Sequence, residues 1–266
     1  MNIAALPPLR DFFDALLKTV AAVALLYVLL GFLVDVVAPR IPLTTEIALG
    51  RSFETAFAKD ALPGQDEQLQ RVLDNLLRHA GPLPAFTYRV HVKKSKSINA
   101  LALPGGNILV LDALLKELDS ENELAMVLGH ELGHFYYRDH LKGLGRQLIF
   151  LLCSTVFFGA DSPTSKFFSN SLTNIEMRFS QSQEMAADLY ALEVAERAYG
   201  HAGGAVDFLA KMARKEKLPG FFYLFASHPY PQKRVLALKS AIVARKYALG
   251  EKIPFSYSYE AAPVVR

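Results

Sequence analysis

Residues 19–38 read TVAAVALLYVLLGFLVDVVA, and only Thr19, Gly31 and Asp35 fall outside the apolar set. No other segment constrains the architecture as tightly. As a helix these 20 residues rise about 30 Å, the hydrocarbon thickness of a bilayer. Lys18 and Arg40 bracket the run, and Pro39 and Pro42 stop it. A cleaved signal peptide has a shorter apolar core and a small-x-small cleavage site, which VVAPRIP does not offer. A core helix of this length carries a polar face, and none is present. The expectation is a retained transmembrane anchor at about 19–38 within an N-terminal segment 1–40, in contact with membrane lipid.

A second apolar run, 148–160 (LIFLLCSTVFFGA), has only 13 residues and reads as an apolar insert of core or interfacial type. The SPTSKFFSNS stretch at 162–171 after it reads as a loop near the membrane or a cleft. Arg10 and Lys18 precede the anchor, Arg40 and Arg51 follow it, and the balance leans slightly toward an exported C-terminal domain.

Composition fits this division. Of the 266 residues, 52% are apolar and 21% charged, which excludes disorder, and a lone Cys153 excludes a disulfide scaffold. Mean hydropathy is +0.19, high for a soluble enzyme. Outside the two apolar segments the apolar share falls to about 48%, the ordinary globular range. With 29 basic and 26 acidic residues and no long basic block, nucleic acid is not an expected partner.

Residues 41–266 therefore read as one domain. Leu69, Val72, Leu73, Leu76 and Leu77 recur at helical spacing before Gly81-Pro82. Strand-like sequence follows at 86–92, 98–103 and 107–111, with Pro104-Gly105-Gly106 turning the last two into a hairpin. Ser120 with Glu123 starts a helix over 121–137, and helical patterns return at 182–198, 204–216 and 231–248. The expected fold class is α+β, mainly helical with a small β-sheet, plus the N-terminal transmembrane helix.

The helix after Ser120 contains His130-Glu131-Leu132-Gly133-His134. Histidines at i and i+4 share a helical face, so both imidazoles reach one metal ion, and Glu131 on the adjoining flank serves a water without being a ligand. A catalytic zinc needs a third protein ligand. His140 lies where an HExxHxxGxxH pattern puts one, but Tyr137 stands in the place of its glycine. Glu184 is the other candidate; Asp188 lies one turn on, placed to orient a ligand imidazole, and Ala186 and Ala187 permit close helix packing. Helical geometry favours Glu184, and His140, otherwise a solvated helix end, stays as the alternative. Pro229 and Pro231 fix the backbone around His228.

Four segments, NALALPGGNILVLDALL (99–115), ELAMVLGHELGHF (123–135), EMAAD (184–188) and SHPYPQKR (227–234), stand in an order that resembles the gluzincin metallopeptidases of the HtpX and C-a-a-X prenyl protease type. The resemblance covers roughly residues 44–240 and implies a zincin-like domain. It implies one Zn²⁺ per chain on His130, His134 and Glu184, with Glu131 as catalytic base and Asp188 behind a ligand histidine. It further implies a catalytic role for His228 in stabilising the oxyanion, with Arg234 completing that motif as a substrate-binding residue, and substrate-backbone pairing along the strand that begins at Asn99 and Ala100. Those relatives carry several membrane spans, whereas this chain shows one clear span. The expected function is a membrane-anchored zinc endopeptidase acting on polypeptides, unfolded or damaged membrane and envelope proteins among them, at a bacterial-type plasma membrane. Two alternatives remain: a non-catalytic zinc-containing binding module, against which Glu131 argues, and a metzincin-like protease using His140.

Overall fold

The computed structural model describes residues 9–57, 67–159, 161–163, 166, 179–215 and 222–257. Helix α1 (Leu9–Val37) is longer than the apolar run and starts ten residues before it. Pro39 ends it in a short 3-10 turn, Ala38–Arg40. Asp11–Arg40 is, among the described residues, the helical stretch long and apolar enough to cross a membrane, and none of its most apolar window is buried. Helix α2 (Leu43–Phe57) follows, then α3 (Glu67–His79), which buries Leu69, Val72, Leu73 and Leu76 as its spacing requires, with Leu77 half-buried at the stripe's edge.

Three strands make one sheet: β1 (Arg89–Lys93), β2 (Ala100–Leu103) and β3 (Asn107–Leu111). The expected hairpin forms, with β2 and β3 antiparallel from Ala100↔Val110 to Leu103↔Asn107. Gly105 and Gly106 turn it at φ 80° and 90°, a region closed to most side chains. The first strand starts three residues later than its sequence pattern, and it pairs parallel to β3, giving the order β1-β3-β2. Among the described residues β2 is thus an edge strand, paired on one side only. Helix α2 lies over the hairpin tip, where a Cβ on Gly50 would stand 2.6 Å from the Pro104 carbonyl oxygen.

After the short helix α4 (Asp112–Leu115), Ser120 caps α5 (Glu121–Tyr136): its Oγ accepts from Glu123 N at 3.2 Å. Every residue of α5 from Asn122 to Phe135 is buried, so this helix is the centre of the core. Arg138, in the left-handed region at φ 56°, breaks the chain into α6 (Asp139–Phe158). Residues 148–158 are therefore no separate insert but the end of a continuous 20-residue helix. Helix α6 crosses α1 at two points: Gly145 faces Val34, and Arg146 Nη2 donates to Asp35 Oδ1 at 2.6 Å. Most of the 162–171 loop lies outside the described residues.

Helix α7 (Gln181–Tyr199) starts at a capping box between Ser180 and Gln183 and ends at Gly200, φ 74°. Helices α8 (Asp207–Lys215), α9 (Phe222–Ser227) and α10 (Pro231–Ala244) complete the described chain, α8 and α10 being shorter than their sequence patterns. The observed architecture is the expected one, mainly helical with one small sheet.

Candidate active site

The helices α5 and α7 meet through residues with almost no side chain. A Cβ on Gly133 would lie 2.7 Å from Ala187 Cα, and one on Gly129 would lie 3.2 Å from Ala191 Cα. Ala187 and Ala191 are fully buried, whereas Ala186 is half-buried and turned from the contact. This approach puts the histidines of α5 against the carboxylates of α7.

His130 Nε2 and His134 Nε2 lie 3.1 Å apart. Glu184 Oε2 is 3.5 Å from the first and Oε1 is 3.5 Å from the second. Ligands held tetrahedrally at about 2.0–2.1 Å from one ion are separated by about 3.3 Å, so the three donors already mark the edges of such a site. His228 Nδ1 joins them, 3.2 Å from His130 Nε2 and 3.0 Å from Glu184 Oε1. All four side chains are buried, with their donor atoms within 4.8 Å of one another. The sequence resemblance implies an oxyanion role for His228; its closeness to the other three donors is not legible there. Glu131 is 2% exposed, and its Oε2 has no hydrogen-bond partner among the described residues. Two imidazoles and a carboxylate, with the unpartnered Glu131 Oε2 in the same cavity lining as His130, are a donor set that fits a divalent metal ion of the zinc type.

A buried salt-bridge layer lies behind these donors. Asp188 Oδ1 accepts from His130 Nδ1 at 2.9 Å, which leaves Nε2 for an ion. Arg234 Nε and Nη2 donate to Asp188, each at 2.7 Å, and Nη1 reaches Glu184 Oε2 at 2.6 Å. The geometry makes Arg234 a clamp on both carboxylates, and Arg234 also lines the cavity that Ala100 of the edge strand borders. Burial pushes the Glu184 carboxyl up, but the charge of Arg234, then of His228 and His130, more than offsets this and holds it well below the usual range. Asp188 is lowered in the same way, burial being outweighed by Arg234 and His130. Both are therefore anionic at neutral pH. Burial dominates at His130 and lowers its pKa. At His134 burial is overcome by Asp139, Glu184 and Glu131, and the pKa rises to about 9.

The remaining predicted residues fall around this core. Ala100, on the edge strand, lines a cavity with His130, Glu131 and His228, walled by apolar side chains that include Leu114, Val127 and Phe208. Asn99 is buried and turned inward; its Nδ2 donates to Ser227 Oγ at 3.3 Å, tying the strand to the residue before His228. His140 is neither a solvated helix end nor a member of the donor group. It is fully buried, with Nε2 2.7 Å from Glu46 Oε1 and Nδ1 3.2 Å from the His134 carbonyl oxygen. The left-handed turn at Arg138 rotates it under α2, where Glu46 occupies its ring, so the metzincin-like alternative has no third ligand.

A protein-family comparison matches this chain to the family described as peptidase family M48 over residues 63–242, well over half its length. The chain belongs to peptidase family M48. Similar proteins include the mitochondrial metalloendopeptidase OMA1 of Arabidopsis thaliana, 31% identical over 41% of this chain, and that of Schizosaccharomyces pombe, 28% identical over 63%. The beta-barrel assembly-enhancing protease of Yersinia pestis is 26% identical over 56%. The chain spans 22%, 50% and 33% of these relatives' lengths respectively. Family M48 groups metallopeptidases, in keeping with a helix-borne histidine pair, a carboxylate from a second helix and the unpartnered Glu131 Oε2 in the same cavity lining as His130.

Proposed function

We propose that this protein is a membrane-anchored zinc endopeptidase. The observation that carries the reading is the set of donor separations, 3.1 to 3.5 Å among His130, His134 and Glu184, with the unpaired Glu131 oxygen beside them. One zinc per chain would be held by those three residues. A bound zinc lowers the pKa of water and polarises a scissile carbonyl. Glu131 takes the proton of the attacking water and passes it to the leaving amine. His228, whose Nδ1 lies 3.2 Å from His130 Nε2 and 3.0 Å from Glu184 Oε1, would supply a hydrogen bond to the developing oxyanion. Asp188 holds His130, and Arg234 keeps Asp188 and Glu184 charged and fixed.

Substrate enters as an extended segment along the edge strand from Ala100, with Asn99 supporting that strand through Ser227. Backbone pairing of this kind reads strand character over sequence, which suits unfolded or damaged membrane and envelope proteins. Residues 41–266 form the catalytic unit, anchored in lipid by α1 and facing the extracytoplasmic side of a bacterial-type plasma membrane. The flanking basic residues support that side.

Purified full-length protein in detergent tests the reading. It should hold about one zinc per chain and cleave an unfolded polypeptide in a chelator-sensitive way. Glu131→Gln should keep the metal and lose roughly 10²–10⁴-fold in turnover. Zinc retention with no cleavage of any unfolded substrate would instead identify a binding module.

A further inference from the structure

A ligand histidine that turns one ring nitrogen to an ion carries its proton on the other, and that proton needs a buried acceptor. His130 has one in Asp188. His134 does not have one at hydrogen-bond distance: its Nδ1 is buried and unpartnered among the described residues. The acceptor facing it is Asp139 Oδ2, 3.7 Å away, which is likewise buried and unpartnered. Asp139 is 1% exposed, and its other oxygen is fully engaged, receiving Lys142 Nζ at 2.9 Å and Gln183 Nε2 at 2.7 Å. One oxygen is thus anchored and the other is kept for the histidine.

The anchoring reaches further. Gln183 Oε1 accepts the backbone N–H of Ser180 at 2.8 Å, in the capping box that opens α7, and Glu184 is the next residue along. Phe179 stacks on the His134 ring, 3.8 Å between centroids at 15°, and so fixes the plane in which that ring can slide. A small in-plane shift of His134, or a rotation of the Asp139 carboxylate, brings the two orphan atoms into contact without breaking another bond.

We propose that Asp139 is the positioning residue for His134, selecting the tautomer with its proton on Nδ1 and coupling that ligand to the start of the Glu184 helix. The inference rests on His134 being a metal ligand. An asparagine at 139 cannot satisfy both sides. With its oxygen toward His134 its amide meets the donors of Lys142 and Gln183; reversed, the amide opposes the Nδ1 proton.

Zinc affinity measured by competition with a chromogenic chelator, on full-length protein in detergent, gives one readout. Asp139→Asn should weaken binding roughly 10–100-fold, comparable to Asp188→Asn at the other histidine. Nitrogen-15 NMR of the imidazoles gives the second. The zinc-loaded wild type should show a slowly exchanging His134 Nδ1 proton, which moves and exchanges faster in the variant. A merely structural Asp139 would lower the thermal midpoint of the metal-free protein while leaving affinity and the Nδ1 proton unchanged, and that result overturns the proposal. Should the variant fail to fold, the wild-type spectrum decides alone: a His134 proton on Nε2, or a rapidly exchanging one on Nδ1, also overturns it. Failure of the wild type to bind zinc would refute the ligand reading beneath it, a distinguishable outcome.

Discussion

Helices α1 and α5 are both rich in apolar residues, and their surroundings could hardly differ more. In α1, Leu25 is 59% exposed and Phe32 68%; in α5, Leu128 and Leu132 are wholly buried. Among the described residues the first meets protein along α6 and leaves most of its apolar surface uncovered, as the proposed membrane anchor requires. The second is wrapped by α3, the sheet and α7, and it carries His130, Glu131 and His134 inside that wrapping. Apolar content alone therefore does not say what a helix is for; the distribution of small and polar residues does. Where α5 needs close neighbours it has Gly129 and Gly133, while a Cβ added to Gly31, the glycine of α1, would meet nothing within 4 Å.

This contrast can be broken at either end. The largest effect is expected in α1. Replacing Leu25 and Leu29 together by arginine adds about 2.5–3.5 kcal/mol per residue to the cost of insertion. The variant should leave the membrane fraction and still take up one zinc; loss of zinc as well would show that the site depends on the anchor. In α5 one methyl group is the sharper probe. Gly133→Ala drives a Cβ into the Ala187 backbone, and overpacking of this kind costs about 1–3 kcal/mol. Thermal unfolding and zinc affinity should both fall, whereas Gly31→Ala should change neither.

The smallest effect is chemical. His134 is raised to about 9, so in the metal-free protein it is protonated at neutral pH. A metal must displace that proton. Calorimetry in buffers of different ionisation enthalpy should then detect a proton released on zinc uptake at pH 7, with apparent affinity rising about tenfold per pH unit up to about 9. The sign for stability runs the other way. A histidine whose folded pKa exceeds its unfolded value stabilises the metal-free fold below the unfolded pKa, and that contribution is lost as pH rises through about 9.

Local signals made much of this molecule legible. The periodicity of α3, the Ser120 cap and the hairpin turn at Gly105-Gly106 each depend on neighbours within a few residues, and each element formed close to its expected bounds. The grouping of His130, His134 and Glu184 was legible for a related reason: the i, i+4 spacings of His130 with His134 and of Glu184 with Asp188 fix faces without tertiary information. What escaped were consequences of turns and long-range pairings. The parallel pairing of β1 with β3 has no local signature. Nothing in YYRDH announces that Arg138 adopts a left-handed conformation, so the burial of Asp139 and His140 could not be foreseen. The clamp of Arg234 on Asp188 escaped as well: 46 residues separate the two, and sequence carries no sign of that contact.

The glycine–alanine seam between α5 and α7 has a kinematic consequence. Packed helices ordinarily slide by exchanging side-chain rotamers, and this seam has none to exchange. The two helices must travel as one body, carrying His130, His134, Glu131 and Glu184 with fixed mutual coordinates. The opposite wall is built differently, with short α9 and the left-handed Tyr230 flanking His228. The seam thus makes one rigid floor under the donor cluster, and the wall that carries His228 is tied to that floor by polar contacts from His228 and Arg234 to Glu184 and Asp188.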